Sequence, residues 1–498
     1  MTQALRRGGT LVGSEPWAKA ALAVAVLTLG VFGFVYLQHA LALVLFPYDW
    51  DQGEGYDAWS AWLIDRGQWP YSGNQAFPYY SSNYPPLWSY VVSIVMAWAG
   101  PGLASGRAVS TIAAVGCAAV AGSAVWFQTR TAWAGLGAAG LVFASPYVFH
   151  TTPLARVNAL TVLFALLGVW AFERPTNRRL AWGTLALLLA LFTKQTAADA
   201  AVACLGFVLL TRPRAGLAVS IVLGAAGFSL LAAFNVLTGG AFWLNVVSGN
   251  ANPFEARQLF DYAVNFALIH PLPLALAAWE AASAMRRRAW DPWTLYFLAS
   301  GVAALGVAKL GAGESYFLGF VASGAVLASR RLVRLLASPP ITRGRPVWAV
   351  AALLLVAGQA VLYAHGPLAL GGVLVDRGLQ APLLGRTPTA KDRQAGDAIV
   401  AAIRRLPGPA LSEDPSFAVV AGRPVVANTT HLRNLYDAGL WDPTPLVADL
   451  QAKRYDTVVL NAQLYPQPVL DAIGRHYYLA QTVQLNGFTY QVFYPGAD

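Results

Sequence analysis

Carboxylates are concentrated in one polar stretch, residues 47–83, which lies between two apolar runs. This stretch holds five of the thirteen acidic residues found before residue 368, namely Asp49, Asp51, Glu54, Asp57 and Asp65. In the sequence WDQGEG, two glycines let the backbone turn tightly and approach a ligand closely. A carboxylate pair in such a loop can take a proton from a hydroxyl or hold a divalent cation. We therefore predict that Asp51 and Glu54 are catalytic, and we interpret Asp57 and Asp65 as acids of an amphipathic helix over residues 55–66.

Three basic residues lie where ordinary membrane loops rarely place them. Lys194, in LALFTKQTAADAAV, lies between two apolar runs, and a buried ammonium needs an anionic partner. Arg156, in TTPLARVNAL, carries a planar guanidinium that can bind phosphate through two parallel hydrogen bonds. Lys309 lies in the glycine-rich break AKLGAGESYF between two apolar runs. The alternatives are snorkelling or interfacial anchoring, with Asp199 as a local partner for Lys194. We predict a substrate-binding set that adds four neighbours to these cations: Asn158, Glu314, Tyr316 and Tyr84.

Composition predicts a polytopic α-helical membrane protein. The chain has 498 residues, of which 56% are hydrophobic and only 12% charged, whereas about a quarter of a soluble domain is charged. The net charge of +10 does not indicate nucleic-acid binding, because residues 368–498 contain eleven basic and eleven acidic residues. The excess therefore belongs to the membrane segments, whose cytoplasmic loops collect Lys and Arg. Cys117 and Cys204 both lie in apolar runs, which excludes an exterior disulfide or a cysteine-based metal site.

The apolar runs predict about eleven membrane spans. The first run is longer than a signal-peptide core, so we expect it to remain as an anchoring helix. The predicted spans are 18–46, 105–128, 132–150, 154–173, 179–193, 195–211, 214–238, 262–284, 291–309, 314–335 and 346–367. Residues 84–100 contain two prolines near their start. If this segment crossed the membrane, the later basic clusters would face outward instead of the cytoplasm, so we predict a juxtamembrane helix there. The amino terminus is then cytoplasmic and the carboxyl terminus extracytoplasmic.

The two predicted domains are a membrane module, residues 1–367, and a small extracytoplasmic α/β domain, residues 368–498. In the second domain we expect helices at 390–406, 443–454 and 468–475, and strands at 410–414 and 457–461. Residues 477–484 and 488–494 predict a hairpin around Asn486-Gly487. Asn428-Thr429-Thr430 matches a glycosylation sequon, a pattern that is common by chance.

Taken together in order and spacing, these motifs resemble the membrane glycosyltransferases of the C superfamily. The matching segments are WDQGEGYDAWSAWLIDRGQWPY, YPPLW, Gly106-Arg107, PLARVNAL, FTKQT and KLGAGESYF. The resemblance as a whole spans residues 18–335. The chain is most similar to the branch that contains the protein O-mannosyltransferases and the lipid A aminoarabinose transferase. The resemblance implies a GT-C fold and a sugar donor linked to polyprenyl phosphate. Relatives usually carry adjacent Asp-Glu where this chain has Asp51-x-x-Glu54, and often Asp where it has Asn158.

The expected function is therefore sugar transfer from a polyprenyl-phosphate carrier to a glycan, lipid or protein acceptor at the outer face of the cell membrane. Asp51 or Glu54 would be the base, and both could hold Mg²⁺ or Mn²⁺. Partners are the lipid-linked donor, the acceptor and membrane lipid, with no nucleic acid. The alternatives are a transporter or lipid flippase, which would show internal repeats, and a non-catalytic scaffold.

Overall fold

The computed structural model describes residues 16–51, 53–250, 252–337, 351, 353–359 and 385–497. The predicted span at 346–367 lies mostly outside these residues, although 353–359 are helical. The predicted domain boundary at 367/368 also lies outside them, so the division into two domains stays a prediction.

The part of the chain before residue 338 is built from helices. In chain order they are α1 (Pro16–Val44), α2 (Glu54–Asp65), α3 (Leu87–Ala99), α4 (Leu103–Thr129), α5 (Ala132–Phe143), α6 (Pro146–Thr151), α7 (Asn158–Phe172), α8 (Asn177–Thr193), α9 (Ala198–Thr211), α10 (Pro213–Leu237), α11 (Ala241–Val246), α12 (Ala256–Ile269), α13 (Pro271–Arg286), α14 (Pro292–Ala303) and α15 (Leu318–Ala337). Short 3₁₀ turns occupy Gln195–Ala197, Ser248–Asn250, Ala304–Ala308 and Glu314–Phe317. The predicted amphipathic helix is α2, and the predicted juxtamembrane helix is α3.

Four of the described helices are long and apolar enough to cross a membrane, and they belong to segments Lys19–Val44, Leu103–Thr129, Pro213–Leu237 and Glu314–Leu336. A fifth span is reached if α12 and α13, which meet at 93°, count as one. Other apolar helices have only 10–17 residues, against about 20 for a full span. The predicted polytopic helical class is confirmed, but the count of eleven spans is not.

Local chemistry explains why several predicted spans are broken. Pro271 has no backbone N–H and cannot continue α12, so the chain turns sharply after His270. The run predicted as 132–150 breaks between α5 and α6 at Ser145, ahead of Pro146. Irregular backbone at such points is stable only where it is buried in protein or lines a cavity.

Small residues let the membrane helices pack closely. A Cβ added to Gly135 in α5 would lie 2.8 Å from the carbonyl oxygen of Gly122 in α4, and the reverse is also true. Gly140 in α5 likewise packs on Leu29 in α1, where an added Cβ would lie 2.6 Å from the Leu29 Cβ. Close backbone approach at small residues is the usual basis of helix association in lipid.

The last part of the chain is a small α/β unit, as predicted. Its elements are α16 (Ala390–Arg404), β1 (Ala410–Ser412), α17 (Pro415–Val420), α18 (Thr429–Asp437), α19 (Thr444–Gln451), β2 (Thr457–Leu460), α20 (Gln467–His476), β3 (Tyr477–Leu485) and β4 (Phe488–Pro495). The sheet order is β1-β2-β4-β3, with β1 and β2 parallel and the other pairs antiparallel. The predicted hairpin turns at Asn486 and Gly487, which both have positive φ. Helices α17 and α18 were not predicted.

This α/β unit packs against residues 47–83, the acidic stretch singled out in the sequence. The Asp49 N–H donates to the Ser416 hydroxyl at 2.7 Å, and the Trp441 indole N–H donates to the Asn74 carbonyl at 2.6 Å. The acidic stretch is therefore held between the membrane helices and the carboxyl-terminal unit.

Candidate functional site

A buried ion pair fixes the shape of the acidic loop. Glu54 and Arg107 are both fully buried, and the Arg107 Nε and Nη2 donate to the Glu54 carboxylate at 2.8 and 2.7 Å. The remaining Arg107 hydrogens reach the carbonyl oxygens of Leu43, Phe46 and Tyr48. One guanidinium thereby ties α4 to the end of α1 and to the start of the loop.

Backbone donors complete the hydrogen bonding of Glu54. The N–H groups of Trp50, Asp51 and Ala155 donate to it at 2.8, 3.3 and 2.8 Å. Burial alone would raise the pKa of Glu54, but Arg107 and these donors outweigh it and hold the pKa below its ordinary value. Five donors thus engage the Glu54 carboxylate, and its predicted catalytic role stays a prediction. The sequence showed an acid beside glycines; it did not show that Arg107 would reach it.

Arg156 lies between the acidic loop and α2. Its Nε lies 3.3 Å from the Asp57 carboxylate, and Asp51 also acts electrostatically on its guanidinium. Gly53 makes this arrangement possible, since an added Cβ would lie 2.0 Å from the Arg156 Nη1 and the Gly53 φ is +96°. The acidic loop therefore contacts Arg156, and the absence of a side chain at Gly53 leaves room for the guanidinium.

Asp57 is the acid that sequence reasoning assigned to an ordinary helix surface. Its side chain is 5% exposed, and its Oδ2 has no hydrogen-bond partner among the residues described. Burial raises the pKa of Asp57 to about 6, while the charges of Arg156 and Lys194 oppose that shift. Asp51 is partly exposed by comparison. Glu54 and Asp57 are three residues apart, so both acids lie on the inner side of α2. This spacing is the feature of the sequence that could have indicated that Asp57 is buried.

Lys194 is buried at the junction of α8 and α9, with its side chain 6% exposed. Its ammonium donates to the Asn158 Oδ1 at 2.8 Å and lies 5.7 Å and 4.9 Å from the ring centres of Tyr84 and Tyr316. Asp199 does not take the predicted partner role, since its Oδ1 accepts from the Ala200 N–H. We call Asp51, Asp57, Arg156, Asn158 and Lys194 the acid–cation cluster.

Two predicted residues lie beside this cluster. Lys309 is partly exposed and its strand-like backbone pairs with Phe254, while its charge acts on Lys194. Glu314 is buried and bonds the His150 Nδ1 at 2.7 Å. Lys309 therefore extends the basic side of the cluster, whereas Glu314 holds the turn that carries Tyr316.

A second group of acids lies where the carboxyl-terminal unit meets the loop. Asp49 is buried and accepts from the N–H groups of Gly55 and Ser416 at 2.6 and 2.9 Å. Burial, reinforced by the charge of Glu54, raises the pKa of Asp49 to about 6. Burial, reinforced by Asp49, raises the pKa of Asp414 well above its ordinary value. This interface therefore favours protonated carboxyls.

Asn428 does not behave as an exposed glycosylation site. It is 4% exposed, its Oδ1 caps α18 by accepting from the His431 N–H, and its Nδ2 donates to the Ser81 carbonyl. The sequon is therefore a helix cap that holds the carboxyl-terminal unit on the outer loop.

The residues predicted to hold a divalent cation do not fit one. Both Glu54 oxygens accept hydrogen bonds from nitrogen donors, and the positively charged Arg156 lies beside Asp51 and Asp57. Within the described ranges, no group of three or more His, Cys, Asp or Glu side chains has metal-binding geometry. The acid–cation cluster supplies positive charge through Arg156 and Lys194 instead.

The chain shares its fold with solved membrane enzymes. Neither a family model nor a curated protein sequence matches it. ArnT from Cupriavidus metallidurans, bound to undecaprenyl phosphate, aligns with a TM-score of 0.57 and 16% identity over 96% of this chain and 98% of that one. Oligosaccharyltransferase AglB from Archaeoglobus fulgidus, in complex with an inhibitory peptide and a dolichol-phosphate, aligns with a TM-score of 0.54 and 13% identity over 95% and 74%.

These likenesses show that the chain has the fold of these two proteins, as the predicted resemblance implied. They extend over nearly the whole of this chain, including the carboxyl-terminal unit. No observation on the described residues favours the transporter alternative.

Proposed function

We propose that this protein is an integral-membrane glycosyltransferase that moves a sugar from a polyprenyl-phosphate carrier to an acceptor at the outer face of the cell membrane. The observation that carries the proposal is the acid–cation cluster, in which two cations and two carboxylates meet at the ends of membrane helices. Support comes from the shared fold, since ArnT and AglB were solved with undecaprenyl phosphate and dolichol-phosphate.

Lys194 and Arg156 would bind the phosphate of the donor. Lys194 is buried and its nearest acceptor is a neutral amide. Burial, reinforced by the charge of Arg156, lowers the pKa of Lys194 to about 7, and a bound phosphate would favour its charged form. As the sugar leaves, negative charge grows on the phosphate, and fixed cations in a water-poor site stabilise that charge strongly. Lys309 would add to this field, while Tyr84 and Tyr316 would limit where the phosphate can lie.

An apolar cavity between membrane helices would take the prenyl chain. It is lined by side chains that include Leu141, Phe266 and Phe297. Phe266 stacks on Phe317 at 4.7 Å between ring centres, and Phe317 belongs to the same turn as Tyr316. The cavity therefore begins next to the residues that surround Lys194.

Asp51 would act as the base that deprotonates the acceptor hydroxyl. It is partly exposed, so an acceptor can reach it, whereas Glu54 is fully buried and fully engaged. The deprotonated oxygen would attack the anomeric carbon from the side opposite the phosphate, which inverts the configuration. Glu54 and Arg107 would hold Asp51 in place through the Asp51 N–H.

The carboxyl-terminal unit would cover the site from the extracytoplasmic side and contribute to acceptor selection. It contacts residues 47–83 and α11; the His431 Nε2, for example, bonds the Asn245 side chain at 2.7 Å. The amino terminus would then be cytoplasmic, in agreement with the basic clusters of the sequence.

The test is sugar release by the purified protein reconstituted in vesicles. Polyprenyl-phosphate carriers bearing labelled hexoses or pentoses are offered with crude acceptor fractions, with and without a metal chelator. We expect label to leave at least one lipid donor, to depend on Lys194, and to be unaffected by the chelator. Retention of label on every donor would refute the proposal.

A further inference from the structure

Asp57 has an environment unlike that of the other acids of the loop. Five donors engage Glu54, but the Asp57 Oδ2 has no hydrogen-bond partner among the described residues and lies 3.3 Å from the Arg156 Nε. The side chain is nearly excluded from solvent. The Val157 N–H donates to the Asp57 carboxyl and Arg156 forms an ion pair with it, but within the described ranges Oδ2 accepts no hydrogen bond and can still bond a ligand.

The groups that face Asp57 belong to four parts of the chain. Glu54 lies on the same helix, Arg156 lies before α7, Lys194 lies between α8 and α9, and Tyr80 and Tyr84 precede α3. The two cations are those proposed to bind the donor phosphate. A phosphate at Arg156 and Lys194 would therefore lie beside Asp57, and two anions so placed favour proton uptake by the carboxyl group.

We propose that Asp57 is the general acid of the transfer: a protonated Asp57 donates a hydrogen bond to the donor phosphate and gives it the proton as the sugar leaves. The proposal rests on the function proposed above. It makes Asp51 and Asp57, which both act on Arg156, a base and an acid, a division of labour between two carboxyls that glycoside hydrolysis also uses.

The step balances in atoms and charge. The acceptor hydroxyl gives its proton to Asp51, and its oxygen forms the bond to the anomeric carbon. The bond between that carbon and the phosphate oxygen breaks, its electron pair stays on the oxygen, and the oxygen receives the proton of Asp57. The lipid phosphate leaves as a monoanion. Asp51 then releases its proton to solvent, and Asp57 takes one up before the next turnover, so the net change moves one proton from acceptor to phosphate.

The test compares two donors, the natural phosphate-linked sugar and its phosphorothioate analogue, whose leaving group is the weaker base. In the reconstituted full-length protein, Asp57→Asn should lower kcat with the phosphate donor by about 10²-fold or more. The loss should be clearly smaller with the phosphorothioate donor, because that group needs less protonation. Equal losses with both donors would overturn the proposal, since a merely structural role or an ion-pairing role predicts equal losses.

Asp65→Asn is the matched control, because Asp65 lies on the same helix and is exposed; it should leave kcat with both donors unchanged. If Asp57→Asn does not fold, the unaltered protein can still test whether Asp57 acts as a general acid. Its ratio of kcat with phosphorothioate to kcat with phosphate should rise with pH as Asp57 loses its proton, and a constant ratio overturns the proposal. An unaltered protein that uses neither donor would instead refute the proposed function itself.

Discussion

Glu54 and Arg107 form an ion pair in which both side chains are completely buried. The pair joins three segments, because the same guanidinium also binds the carbonyl oxygens at the end of α1 and at the start of the loop. Gly106, next to Arg107, allows this approach, since an added Cβ would lie 2.8 Å from the Ala155 side chain. The acidic loop thus owes its shape to a charge pair as well as to the apolar packing of Tyr48 and Trp50.

Glu54→Gln should destabilise the protein. Removing one partner leaves Arg107 as an uncompensated buried charge, which typically costs about 3–5 kcal/mol. We expect a large loss of folded protein and a lower Tm. Unfolding is measured in detergent by tryptophan fluorescence, and the control variant Asp65→Asn should change neither quantity. A variant with the original Tm and no transfer activity would instead show that Glu54 has the catalytic role predicted from the sequence.

Gly53→Ala should reduce transfer activity by more than tenfold. The methyl group would collide with the Arg156 guanidinium, which would have to move away from Asp57 and the donor phosphate. Gly67→Ala is a matched control, because Gly67 also has a positive φ of +71° but nothing within 4 Å of an added Cβ. Both variants share a backbone strain of about 1–2 kcal/mol, so similar kcat values in the two would exclude the proposed role of Arg156.

Lys194→Met should lower kcat by roughly 10²–10³-fold and weaken binding of polyprenyl phosphate, because the buried ammonium would no longer stabilise the leaving phosphate. Lys391→Met, at an exposed position on α16, should change neither quantity. Binding can be followed by competition with a fluorescent prenyl phosphate. Unchanged binding and turnover in Lys194→Met would place the phosphate elsewhere.

The contribution of Asp49 and Asp414 to stability should rise as the pH falls from about 7.5 to 5, whereas the buried His431, whose pKa burial lowers to about 3, opposes it. The pKa of Asp49 is about 6 in the folded state and that of Asp414 is also raised, so the folded protein holds more protons than the unfolded chain, and stability is lost as the pH rises through 6. Asp414→Asn should flatten this dependence, since an amide keeps the bond from the Tyr490 hydroxyl without the charge. A Tm profile unchanged by the substitution would contradict the assignment.

The carboxyl-terminal unit was largely predictable because its signals are local. The Asn486-Gly487 turn, for instance, requires two positive φ values and joins two strands of alternating pattern. The membrane helices were predicted less well, because apolar composition indicates burial in lipid but not where a helix breaks. The break at His270–Pro271 lies inside the predicted span 262–284 and was not predicted. Proline chemistry explains it, but its 93° bend depends on packing.

The site was predicted in its residues more than in its roles. Arg156, Asn158 and Lys194 do lie together. All three are polar residues at the ends of apolar helices, and these helix ends meet in the fold. The roles of Glu54 and Asp57 stay predictions: helical spacing tells which acids share a face, but only tertiary contacts tell that Arg107 engages Glu54 and Arg156 approaches Asp57.

Turnover by Asp51→Asn tests the central claim most directly. The variant is reconstituted beside the unaltered protein with a labelled polyprenyl-phosphate sugar in excess, and binding of the lipid phosphate is verified in the same sample. We predict that the donor binds as before and that transfer falls by at least about 10²-fold, because the acceptor hydroxyl keeps its proton. Transfer near the original rate, with donor bound, would contradict the account.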